Sequence, residues 1–152
     1  MHCDPDDDMT AAEQLAEHNP HAAAEAFSAI ACDRAVDDET RLTAAEQLAA
    51  IDPHAAAPAC QAIACDGEVG DEVRLAAAEA LAAADPGAAA PACLAIACDG
   101  EVGDEVRLSA AELLAAADLG AAARACLAIA RDETVGDEVR LAAAELLPAH
   151  TP

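Results

Sequence analysis

Lysine, tryptophan and tyrosine are all missing from this chain, and Phe27 is its single aromatic residue. Without large rings, the 55% apolar content is carried mostly by Ala, with Leu, Ile and Val added. That fraction is enough for a 152-residue chain to fold and bury a core. Small side chains bury little area each, so such a core has to come from many close helix–helix contacts. Positive charge is scarce too: seven Arg face 30 Asp and Glu, for a formal net charge of −23. A surface of that sign repels phosphate backbones and anionic headgroups, which argues against nucleic-acid and membrane partners and leaves neutral or basic ones. The plainer use of the acid is to keep an Ala-rich chain in solution. Long apolar runs are also absent, since Asp, Glu or Arg interrupts every candidate membrane span. The start, Met1-His2-Cys3-Asp4-Pro5-Asp6-Asp7-Asp8, is the opposite of a signal peptide's basic and then apolar beginning. The expectation is a cytoplasmic protein.

What the chain does contain is repetition. Residues 64–96 read ACDGEVGDEVRLAAAEALAAADPGAAAPACLAI, and residues 97–129 read ACDGEVGDEVRLSAAELLAAADLGAAARACLAI. Residues 31–63 keep the same frame with more drift. Arg41, Arg74, Arg107 and Arg140 fall in one register, as do Leu42, Leu75, Leu108 and Leu141. A period of 33 residues carried through almost the whole chain is the signature of stacked structural units. The division is an acidic N-terminal tail over 1–8, one repeat domain over 9–149 and a short C-terminal tail over 150–152.

Each unit reads as two helices, A and B. Helix A opens at Asp71, taken as an N-cap with acid in the first turn, and runs to about Ala84. Helix B opens at Asp85-Pro86, a cap followed by Pro at the first helical position, and the same signal recurs at Asn19-Pro20 and Asp52-Pro53. Gly100 is expected to stop helix B through a C-terminal cap. The count is four A/B hairpins and a last A helix from about Asp137 to Leu147. Pro58 and Pro91 fall inside helix B, where Pro costs about 3 kcal/mol. Either the helix kinks there or its first turn is separate.

The skeleton D-x-V-R-x-x-A-x-x-x-L over Asp71–Leu81, followed by Asp85-Pro86 and an apolar helix, resembles the short HEAT-like repeats of many bacterial proteins. The T-P-L-H signature of ankyrin repeats is missing, and tetratricopeptide repeats need aromatic positions this chain cannot supply. The resemblance implies an all-α, right-handed α-solenoid of about four and a half two-helix repeats, with the B helices lining the concave side. It also implies that the in-phase Arg residues bridge to acids of neighbouring units as a structural ladder. Candidate acids are Asp38, Asp71, Asp104 and Asp137, or Asp33, Asp66 and Asp99; a planar guanidinium suits two acceptors at once. It implies no chemistry, because fold is not function.

Within helix B one stripe varies from unit to unit at steps of four, three and four, which places each set on one face. It runs His21, Glu25, Ser28, Cys32; His54, Pro58, Gln61, Cys65; Gly87, Pro91, Leu94, Cys98; and Gly120, Arg124, Leu127, Arg131. The opposite side, as in Ala56, Ala59 and Ile63, hardly changes and should be core. A weakly charged stripe with Leu94 and Leu127 suits a peptide or helix partner, or self-association. Drift on an unused surface is the plainer reading.

Cysteines apart from Cys3 occupy two repeat positions, which divide into the pairs Cys32/Cys60, Cys65/Cys93 and Cys98/Cys126. Five residues of helix is about 7.5 Å of rise, and a disulfide needs Cα atoms within about 7 Å, so bonded staples are disfavoured. The expectation is reduced thiols, with paired sulfurs facing one another between adjacent B helices. No C-x-x-C pair, catalytic triad, nucleophile elbow or phosphate-binding glycine loop occurs. His18, His21 and His54 make a weak metal set, and the acidic hinge loops lack the calcium-loop pattern. No cofactor or metal site is therefore expected. Together these features point to a non-enzymatic protein-interaction scaffold. The alternative from another class is a thiol-based redox or metal-buffering protein using the cysteine rows. A lyase or modifying enzyme built on such repeats is third, disfavoured by the missing catalytic set.

Overall fold

The fold follows from a computed structural model that describes residues 4–147. Cys3 and the tail over 150–152 lie outside those residues. The described chain is all-helical: α1 (Pro5–His18), α2 (Pro20–Cys32), α3 (Asp38–Ile51), α4 (Pro53–Ala64), α5 (Asp71–Ala84), α6 (Pro86–Ala97), α7 (Asp104–Ala117), α8 (Leu119–Arg131) and α9 (Asp137–Leu146). Each helix packs on the next in sequence, and helices two apart also touch. Odd-numbered helices are the A helices and even-numbered ones the B helices. No helix among the described residues is long and apolar enough to cross a membrane.

The turns between A and B are sharp because one acceptor holds each of them. The side chains of Asn19, Asp52, Asp85 and Asp118 accept from backbone N–H groups of the following first turn. Pro occupies the first helical position in α2, α4 and α6, where its missing N–H removes nothing from the helix. In α8 an exposed Leu119 takes that place. Helices α4 and α6 run as single helices through Pro58 and Pro91, with no separate first turn. Both prolines are exposed, so the carbonyls they leave without an N–H partner can turn to water.

Three local expectations are corrected. Helix α1 starts at Pro5 behind the cap Asp4, so residues 5–8 are its first turn and not a tail. Asp6, Asp7 and Asp8 then sit where the helix dipole favours negative charge. The caps of α5, α7 and α9 are Gly70, Gly103 and Gly136, not the Asp that follows each. Nor does glycine stop helix B through a left-handed cap, because no glycine among the described residues has positive φ. The stop is made by Asp66, Asp99 and Asp132, whose Oδ1 accepts from the N–H two residues on, at 3.1, 3.0 and 3.0 Å. Their own carbonyls accept from Val69, Val102 and Val135, which tucks each valine into the core.

The core is a thin seam of small residues. In the A helices it uses Ala44, Ala45 and Leu48 and their equivalents; in the B helices it uses Ala56, Ala59, Cys60 and Ile63 and theirs. Ala and Cys on facing sides let helix axes approach closely, which replaces area per residue with number of contacts.

Candidate interaction face and arginine ladder

Three guanidinium groups are the only buried charged side chains among the described residues: Arg41, Arg74 and Arg107. Each does the same two jobs. Its Nε donates to the carbonyl of Ala31, Ala64 or Ala97, at 3.0, 3.0 and 2.9 Å, in the last turn of the preceding B helix. Those carbonyls lie among the last four of a helix, which have no partner within it. Its Nη1 reaches Asp66, Asp99 or Asp132 beyond the following B helix, at 3.5, 3.1 and 2.9 Å. One arginine thus ties the ends of two successive B helices together. The acid partner is equally divided, with Oδ1 shaping the hinge and Oδ2 taking the arginine.

Asp66 and Asp99 come from the second candidate set, and Asp132 extends it. Asp33 of that set has no ladder arginine, because Asp8 stands where the register would place one. The first set is reassigned. Asp38, Asp71 and Asp104 accept through Oδ2 from the backbone N–H of Gly70, Gly103 and Gly136 in the next unit, at 2.9, 2.8 and 2.9 Å. Only Asp137 meets an arginine, an exposed contact of 3.7 Å with Arg140. Arg140 itself keeps the carbonyl contact, to Ala130 at 3.1 Å.

Electrostatics mark the ladder acids. The Glu101 N–H and then Arg74 hold Asp99 below its ordinary value, and the Glu68 N–H and then Arg34 do so for Asp66. The hydroxyl of Thr134, then Arg107, brings Asp132 down to about 2. Arg41 has the longest ladder contact and shares Asp66 with Arg34, which sits at 3.1 Å.

The variable stripe lies on solvent. Glu25, His54, Pro58, Gln61, Pro91, Arg124 and Leu127 are exposed, and Ser28 and Leu94 are half-buried. Shallow concavities open between successive B helices along it. One of about 440 Å³, between α2 and α4, is lined by residues including His21, Glu25, Ser28 and Ala55. Another of about 370 Å³, between α6 and α8, is lined by residues including Pro91, Leu94, Ala121 and Arg124. His21 and Glu25 stand 3.5 Å apart on the rim of the first.

The two cysteine rows part company. Cys60, Cys93 and Cys126 are buried, while Cys32, Cys65 and Cys98 are exposed at the ends of the B helices, and all six are free. Each sequence-derived pair would therefore join an exposed thiol to a buried one. Burial pushes the Cys93 thiol up to about 11, with a smaller contribution from nearby Cys65. Cys60 and Cys126 are raised for the same first reason, followed by Glu46 and Glu112 respectively. Cys32 and Cys65 line one concavity of about 390 Å³ with Arg34, Arg41 and Asp66. Among the described residues no three His, Cys, Asp or Glu side chains converge as a metal-binding group.

Compared with protein-family models, curated proteins and solved structures, the chain finds no significant match.

Proposed function

We propose that this protein is a non-enzymatic interaction scaffold, a right-handed HEAT-like α-solenoid of 33-residue units whose B helices present the binding face. The observation that carries this reading is where variation sits. On the B helices, residues that change between units lie at or near the surface beside the inter-helix concavities, whereas from the second unit on the ladder and the Ala, Cys and Ile seam stay constant. A stacked array needs an unchanging interior, and only a surface facing something else is free to differ from unit to unit. The partner is a neutral or basic protein segment, taken up in a cytoplasmic setting, since a net charge of −23 opposes nucleic acid and anionic membranes.

Peptide display against the purified chain tests the reading. Neutral or basic sequences should be enriched, and their binding should fall at least about tenfold with Leu94→Glu plus Leu127→Glu. Glu79→Gln, on an A helix, should leave it unchanged. Enriched peptides that bind the stripe variant as well as the parent would remove the B face from consideration.

A second reading, thiol-based redox or metal-buffering chemistry, is favoured by one observation: Cys32, Cys65 and Cys98 all reach solvent. Thiol titration together with metal analysis of the purified protein separates the two.

A further inference from the structure

Equivalent positions in different units report which neighbour covers them. On α9, Leu141 is 62% exposed, whereas Leu42, Leu75 and Leu108 in the same register are half-buried. Ala144 is exposed, whereas Ala45, Ala78 and Ala111 are fully buried. The Arg140 side chain is 34% exposed against 4–5% for the three interior arginines, and its Nη1 finds only Asp137 of its own helix. Helix α9 thus presents the interior contact surface of a unit with nothing packed on it among the described residues.

The opposite end mirrors this. Helix α1 has α2 and α3 against it, so any exposure beyond that of its interior equivalents marks its outward side. Leu15 is 39% exposed where Leu48, Leu81 and Leu114 are buried, and Ala11 is exposed where Ala44, Ala77 and Ala110 are buried. At the ladder register the two ends are complementary, although the exposed Asp137, Glu138 and Glu145 leave α9 itself acidic. At the α1 end the ladder register holds Asp8 and Asp33, two acids with no ladder arginine among the described residues; at the α9 end it holds Arg140, whose one acid contact among the described residues is Asp137. No arginine precedes Arg34, whereas Arg124 and Arg131 stand exposed near α9 and make no ion pair among the described residues.

We propose that the α9 face of one copy docks on the α1 face of a second copy, head to tail, with Leu141 and Ala144 meeting the Ala11–Leu15 surface and Arg140 entering the acids at Asp8 and Asp33. Unlike surfaces meet in this contact, so it leaves a free face at each end and builds an open series unless the rotation between copies closes a ring. The net charge of −23 opposes it at long range. Physiological salt, with a Debye length of about 8 Å, screens that repulsion more than it weakens the close apolar contact. The proposal uses the ends of the stack and does not depend on the B face.

Sedimentation over a wide concentration range in physiological salt, using the 152-residue chain, is the test. The parent should show a weight-average mass that rises reversibly above 15.2 kDa with concentration. Leu141→Glu and Leu15→Glu alone should each raise the apparent Kd at least about tenfold. Mixed together they should form a one-to-one dimer and stop, because one intact face of each kind remains. Far-UV circular dichroism establishes that the variants fold, and Ala11→Glu replaces Leu15→Glu if that variant does not. A parent that stays monomeric at every concentration overturns the proposal. So does a Leu15→Glu chain that still self-associates while Leu141→Glu does not, since that pattern belongs to a two-fold contact of α9 with itself.

Discussion

Replacing Arg74 by Ala removes two donors at once. The first holds the carbonyl of Ala64, at 3.0 Å, in a fully buried residue whose helix offers that carbonyl no other donor. An orphaned buried acceptor costs about 1–3 kcal/mol. The second holds Asp99 at 3.1 Å, but Asp99 is 31% exposed and keeps the Glu101 N–H, so its loss is nearer about 1 kcal/mol. Together the expected destabilisation is about 2–4 kcal/mol, centred below the range of about 3–5 kcal/mol for breaking a fully buried pair because water can reach the acid. At about 2–4 °C per kcal/mol for a chain of this size, the melting temperature should fall by about 5–15 °C. Arg124→Ala is the control: Arg124 is exposed and makes no ion pair among the described residues, so its removal should stay within about 0.5 kcal/mol. Arg74→Lys separates charge from shape, because an ammonium cannot reproduce the fork that serves a carbonyl and a carboxylate together. It should recover less than half of the loss. Thermal melts followed by circular dichroism decide the matter. Coincident curves for the Ala variants at 74 and 124 would falsify the ladder, and full rescue by Lys would reduce it to a generic charge effect.

Acid titration should show two regimes. Because Asp66, Asp99 and Asp132 are lowered in the folded state, their contribution is intact above the unfolded carboxylate range and is lost as pH falls from about 4 towards 2. Above that window, protonating other acids relieves repulsion, so melting temperature should peak between pH 4 and 7 rather than rise steadily; a monotonic rise to pH 7 would contradict this. Brief alkylation of the native protein should label Cys32, Cys65 and Cys98 and spare Cys60, Cys93 and Cys126, as peptide mapping would show. The Cys93 thiol, held up at about 11, should make stability decline as pH rises from about 9 towards 11. Gly103→Ala should stay within about 0.5 kcal/mol of the parent, because φ −58° and ψ 145° suit any residue, the nearest atom to a new Cβ, Asp71 Oδ2, is 3.5 Å away, and the loss of unfolded-chain entropy offsets the poorer fit of Ala at an N-cap. Asp71→Ala, by contrast, should lose about 1 kcal/mol with the Gly103 N–H bond; equal melts for these two variants would show that the bond contributes nothing.

The caps at Asn19, Asp52 and Asp85 were legible in the sequence because a cap works within three residues, and a local pattern displays it; Asp118, with Leu119 in place of Pro, was not read. The same signal was present in Asp4-Pro5, but the run of acids after it masked a helix start as a tail. Asp71 misled for a different reason. Its shape and position suit a cap, but its carboxylate serves a glycine 32 residues on, a partner that no local pattern reveals. The period placed the arginines in register; choosing between two acid sets required knowing which oxygen was already occupied in the hinge. For the cysteines the period displayed both rows but not their exposure: five residues on a helix turn by about 500°, so Cys60 falls on the buried side and Cys65 on the exposed one.

Every ladder contact joins residues 10 or 25 apart, and every glycine contact joins residues 32 apart. Among the described residues no polar link between units reaches beyond an immediate neighbour. Excision of residues 64–96 would therefore set Ala97 beside Ile63, return the Ala97 carbonyl to Arg107, and offer Asp99 to Arg41 at the separation Asp66 has now. Length in such a molecule is a quantised variable: evolution or engineering can shorten or extend it by one unit through an in-frame deletion or duplication, with each junction already compatible.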